Sequence, residues 1–243
     1  MESSPNTQLG NAESTWELED LGLLLAAILP SLLISSLVAR AVRAVAPAVF
    51  GPSAMQQVAA QSTLYLLLMG SLFLSARLRH RHSVRAALGL RSRFPRPWLC
   101  VIGAPLLAIA VSALGAMLHA PSIPNPVARL VDGRAPMVLV GLLVVAIGPA
   151  FEELVFRGFL QPLLKKFIGA WPAVFGAAVP FALIHGVQNE WAWQPLLLIW
   201  LAGSLFGAVR HWTGSTSASI LLHASYNLTF FTAFLVDQSV PMR

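Results

Sequence analysis

The sequence predicts an all-α polytopic membrane protein, a bundle of about seven or eight transmembrane helices with its unusual polar residues on the C-terminal ones. Three observations carry that prediction. The 243 residues are 56% hydrophobic and only 11% charged, with a mean hydropathy of +0.71, whereas soluble domains carry about 25% charged residues. The apolar residues fall into seven stretches with few or no charges. Runs such as Leu139–Ile147 are apolar on every face rather than alternating, which excludes a β-barrel. Cys100 is the only cysteine, so neither a disulfide framework nor a cysteine-ligated zinc site is possible within the chain.

Taken in order, residues 1–20 form a polar, acidic N-terminal tail with Glu2, Glu13, Glu17, Glu19 and Asp20 and no Lys or Arg. A cleavable signal peptide starts with a basic segment, so an unstructured tail is expected here. The apolar stretches follow: Leu21–Val38, Val58–Ala76, Trp98–Leu118, Met137–Phe151, Pro172–Gly186, Gln194–Val209 and Ser217–Val236. A bilayer core needs about 20 residues per helix. The fourth stretch reaches that length only by continuing through Glu152 and Glu153 to about Leu160. The fifth and sixth are short, as suits helices buried among others. This divides the chain into N-terminal transmembrane helices at 21–136, a core at 137–236 and a short tail at 237–243.

The net charge of +6 is read as loop arginines that set membrane orientation, not as a nucleic-acid footprint. The loop at 76–97 holds Arg77, Arg79, Arg81, Arg85, Arg91, Arg93 and Arg96, which places it in the cytoplasm. With seven spans, Lys165, Lys166 and Arg210 fall on the same side. Arg40, Arg43, Arg129, Arg134 and Arg243 fall on the other. The expected location is a multi-pass integral membrane protein, in the cell membrane if the chain is bacterial, with lipids as its surroundings.

Ionisable side chains inside a span are costly and mark function by default. Here they gather in the C-terminal half: Glu152, Glu153 and Arg157, then His185, then His223 and Asn227. Glu153 and Arg157 are four apart and can pair. Glu152 points about 100° away round the helix and stays available. His223 and Asn227 are also four apart and project together. The hairpin between the fourth and fifth stretches turns near Ile168–Gly169, and Glu152 and His185 lie equally far on either side of it. Antiparallel pairing therefore puts them at one depth. A carboxylate with two histidines matches a metal site that leaves a position for water. Without metal, a buried Glu can itself take a proton from water while Asn and His donors stabilise an oxyanion. Either route ends in peptide hydrolysis inside the bilayer. Signatures of the other intramembrane proteases (HExxH, GxGD, GxSG with a partner histidine) are absent.

Glu152-Glu153-x3-Arg157, Phe181-x3-His185 and His223-x3-Asn227, in that order, resemble the motifs of the CPBP family, the type II CAAX prenyl endopeptidases and their abortive-infection-like bacterial relatives. Gly203–Arg210 and Thr213–Ser215 resemble its connecting segment, and Leu88-Gly-Leu90 is a weak addition. Trp200 stands where the family's third motif often begins with Phe. The resemblance runs from about Gly148 to Phe231. It implies an intramembrane endopeptidase, with removal of the last three residues of a prenylated C-terminus as the pattern and a membrane-associated or lipidated protein or peptide as substrate. Carried over, Glu152 activates water and Glu153 is its neighbour, held by Arg157. His185 is a base or metal ligand, and His223 and Asn227 are the ligand or oxyanion pair. A metal, if used, would be one divalent ion, zinc before others, on Glu152, His185 and His223. The competing readings are a non-catalytic immunity or regulatory partner on the same fold and a small proton-coupled transporter. The transporter predicts symmetry between the halves, and the N-terminal half carries no counterpart of the charged cluster.

Overall fold

The computed structural model describes residues 15–50, 53–81, 83–90, 94–123 and 134–239. The first fourteen residues of the expected tail, Arg91, Arg93, Arg129 and the end of the chain from 240, Arg243 included, lie outside the described residues. Among those described, seven apolar helical segments account for the seven stretches. They are α1 (Leu18–Val45), α2 (Ser53–Leu74, extended by a π-turn over Ser75–Arg79), α3 (Trp98–Met117), the composite α4, α5 (Ala170–Leu183), α6 (Trp193–Thr213) and α7 (Thr216–Ser239). Six are long and apolar enough to cross a membrane, and α5 is the shorter one. The protein is an integral, multi-pass membrane protein. Its outward faces carry the apolar side chains that lipid demands, such as Leu25, Leu29 and Leu33 on α1.

The helices pair as α1 with α2, α3 with α7 and α5 with α6. The composite α4 is longer than expected. It runs through Arg134–Leu142, a π-wound Leu143–Ile147, Gly148–Glu153, a second π-wound Leu154–Leu160 and Gln161–Ile168 without leaving the helical path. Gly169 makes the turn into α5, which packs back against the last piece. The π-windings flank the Glu152–Glu153 pair on both sides. Such windings shift side-chain register and are frequent at functional sites.

The end of the acidic segment is structured, against the expectation of a free tail through residue 20. Trp16 is fully buried. Its Nε1–H is shared between Ala87 O at 3.1 Å and Gly158 O at 3.0 Å, and its ring meets the Phe159 ring edge-on. Lys166 Nζ donates to Trp16 O at 2.6 Å. Asp20 caps α1 through Glu17 N–H and accepts from Ser75 Oγ, Arg79 Nε at 3.0 Å and His80 Nε2 at 2.7 Å. The basic loop offers Asp20 the cations that a buried carboxylate requires.

The Leu88–Gly89 turn is fastened at the same end, where Thr216 N–H reaches Gly89 O at 3.0 Å and Thr216 Oγ reaches Leu88 O at 2.6 Å. Trp16, the 76–97 loop, Lys166 and the start of α7 thus share one end of the bundle, as positive-inside counting requires. Gly158 packs against Leu88 at that level, so Gln161–Ile168 extends beyond it. Glu152 then lies only about 9 Å deeper along its helix, at about 1.5 Å per residue. On a Cys100→Ser background, Ser83→Cys, at an exposed position, is expected to resist an impermeant maleimide added outside intact cells. It should react after permeabilisation. Labelling from outside would reverse the orientation.

Candidate active site

Glu153 is wholly buried, and so is Arg157 one turn along. A carboxylate there needs an opposite charge and a donor for each oxygen. It has them. Arg157 Nη1 donates to Oε1 at 2.9 Å, and Ser219 Oγ donates to Oε2 at 2.5 Å. His223 Nδ1 approaches Oε1 at 2.9 Å. Arg157 Nη2 continues to Gly203 O on α6 at 2.6 Å, and its guanidinium lies 4.5 Å from the centre of the Phe181 ring on α5. Gln161, one turn on, repeats the contact with Gly207 O at 3.0 Å. Both carbonyls are reachable because α6 carries glycine at those two places. A Cβ on Gly203 would stand 2.7 Å from Phe181 and 2.9 Å from Arg157, and one on Gly207 would stand 2.9 Å from Gln161.

Glu152 looks elsewhere, as the helical offset requires. Its side chain is 15% exposed and lines a cavity of about 1100 Å³ that His185, His223 and Asn227 also line. His223 Nε2 lies 3.9 Å from Glu152 Oε2, too far for a direct hydrogen bond. One imidazole thus spans the two carboxylates, bound to Glu153 and facing Glu152. Phe206 stacks on that imidazole at 4.4 Å and keeps its plane fixed.

His185 follows the end of α5, with Nδ1 2.8 Å from Phe181 O. A carbonyl only accepts, so Nδ1 carries the proton and neutral His185 keeps Nε2 as an acceptor. Asn227 is held by a detail of α4. The π-winding that takes Gly148 N–H to Leu143 O would bring the next amide to Val144 O. Residue 149 is proline and has no N–H. Asn227 Nδ2 supplies the missing donor to Val144 O at 2.9 Å and keeps a second N–H.

Glu152, Glu153, His185, His223 and Asn227 therefore meet, with Arg157 behind them. As arranged, Glu152, His185 and His223 do not form a ready ligand set, because among the described residues no three His, Cys, Asp or Glu side chains group as a metal site would. Sequence reasoning missed Ser219, although it precedes His223 by four on the same face of α7. It also missed Tyr65 on α2. Tyr65 stacks on Phe151 at 3.9 Å, so the N-terminal half does contribute to the cavity. A Cβ on Gly148 would stand 3.6 Å from the Tyr65 hydroxyl and 3.9 Å from Glu152 Oε1.

Arg157→Ala would leave Glu153 buried without its cation, a loss of about 3–5 kcal/mol. The expected outcome is a sharp fall in folded yield and in thermal midpoint after solubilisation. Normal accumulation with an unchanged midpoint would remove the structural role of the pair.

Neither a curated protein nor a solved structure matches the chain. A protein-family model does, over residues 134–229, the stretch that supplies all of α4 and every residue of the polar cluster. Over that stretch the chain matches the family described as type II CAAX prenyl endopeptidase Rce1-like.

Proposed function

We propose that the protein is an intramembrane endopeptidase that hydrolyses a peptide bond near the membrane surface, with Glu152 as the base that activates water. The substrate is a lipidated or membrane-associated C-terminal tail of the CAAX type. The observation that carries the reading is the division between two adjacent carboxylates. Glu153 is bonded to Arg157, Ser219 and His223, whereas Glu152 faces a cavity with His223 Nε2 across from it. A structural carboxylate would be bonded like Glu153; one meant to exchange a proton must be left like Glu152.

The reaction needs no group beyond these side chains. A water donates its protons toward Glu152 and His185 Nε2, and its oxygen attacks the scissile carbonyl carbon. Charge on the carbonyl oxygen meets the second N–H of Asn227 and, when the imidazole is protonated, Nε2–H of His223. Glu152 then returns the proton to the leaving nitrogen as the C–N bond breaks. The apolar walls, with Leu24, Ile28 and Leu32 on α1 among them, suit a lipid-bearing substrate and exclude bulk water.

The test is hydrolysis of a farnesylated CAAX peptide by the purified chain in nanodiscs. Glu152→Gln keeps the shape and removes the base, so kcat should fall by about 10²–10⁴-fold while folded yield is retained. Turnover within a few-fold of wild type would overturn the assignment. Preincubation with EDTA or phenanthroline should leave turnover within about twofold; inactivation reversed by zinc would replace the glutamate base with metal-activated water.

A further inference from the structure

The cavity has one polar wall outside the C-terminal half. Gln57, Gln61 and Tyr65 of α2 all line it, each four residues after the last. Their spacing puts them on one edge of the helix as a ladder about 12 Å long, at about 1.5 Å per residue. The ladder ends at the reaction centre, since Tyr65 stacks on Phe151, the neighbour of Glu152. Gln61 hydrogen-bonds to the Tyr65 hydroxyl. Primary amides are costly in an apolar wall unless a partner meets them, and the α1 residues that line the cavity beside them are the apolar Leu24, Ile28 and Leu32.

The repeat of the ladder selects the partner. A helical step of four residues is about 6.0 Å. An extended peptide returns the same N–H and C=O edge every two residues, about 6.6–6.8 Å. The two repeats nearly agree over the length of the ladder. A side-chain amide carries a donor and an acceptor together, which is what one backbone edge presents.

We propose that Gln57, Gln61 and Tyr65 form a subsite for an extended peptide backbone, holding the substrate chain by its main-chain amides alongside Glu152. This rests on the endopeptidase reading and deepens it. Selection by the subsite is independent of substrate side chains, because only backbone groups are read.

The experiment is a coupling cycle read by binding rather than turnover. The probe is a fluorescent hexapeptide with a farnesylated cysteine three residues from its end, added to the full-length Glu152→Gln chain in nanodiscs. Two of its backbone amides, two residues apart, are N-methylated in turn. One of these methylations should weaken binding at least tenfold, Gln61→Leu should do the same, and together they should cost no more than either alone. Gln57→Leu, at an exposed position, should couple in the same way to the other amide, which guards against misfolding of the deeper variant. Independent penalties, no penalty, or no binding of the probe would overturn the subsite. Hydrolysis by the otherwise unaltered chain is followed in parallel. Its absence beside an intact coupling would remove the endopeptidase reading and leave the subsite standing.

Discussion

A carboxylate sealed from water must be neutralised and fully bonded, and at Glu153 that requirement draws four helices to one point. Arg157 supplies the charge from α4 itself, and Ser219 and His223 arrive from α7. Through Arg157 the network takes in Gly203 O of α6 and the Phe181 ring of α5. Desolvation offsets much of the Coulomb attraction in such a network. What it fixes is register, since a helix slipped by one residue would leave a charge or a donor stranded.

The reactive side of the cluster follows from that register. With Glu153 consumed, the preceding residue, Glu152, is turned toward the cavity, and His223 faces it with the ring nitrogen that Glu153 does not use. The π-windings on either side of the pair serve the same end. One of them, meeting Pro149, leaves Val144 O without its helical donor and so gives Asn227 a fixed seat. A break in helical bonding is thereby used to orient an amide. At the membrane-surface end, Trp16 and Asp20 tie the N-terminal segment to the basic loop and to α4, which holds α1 and α2 as the far wall of the cavity.

Much of this was legible in the residues. Apolar stretches marked each of the seven apolar helical segments among the described residues, because in lipid the outward faces are apolar and the pattern needs no partner to be read. The pairing of Glu153 with Arg157 and the release of Glu152 followed from helical angles alone. Glu152 and His185, which the hairpin at Gly169 is expected to put at one depth, line the same cavity. Other parts were hidden for physical reasons. The acidic segment reads as a free tail, and only the return of Arg79 and His80 shows the use of Asp20 at its end. Tyr65 and Gln61 are unremarkable in an apolar helix until the fold sets them opposite α4. The π-windings carry no composition signal, so α-helical counting could not foresee the seat of Asn227.

The central claim is that two neighbouring carboxylates have separate duties, one structural and one chemical. The most direct measurement is the thermal unfolding midpoint of Glu152→Gln and Glu153→Gln, compared side by side with wild type in nanodiscs. The account predicts that Glu152→Gln unfolds within a degree or two of wild type. Glu153→Gln should unfold well below it, because Arg157 then lies buried with no counter-charge. Equal midpoints, or a loss confined to Glu152→Gln, would contradict the division.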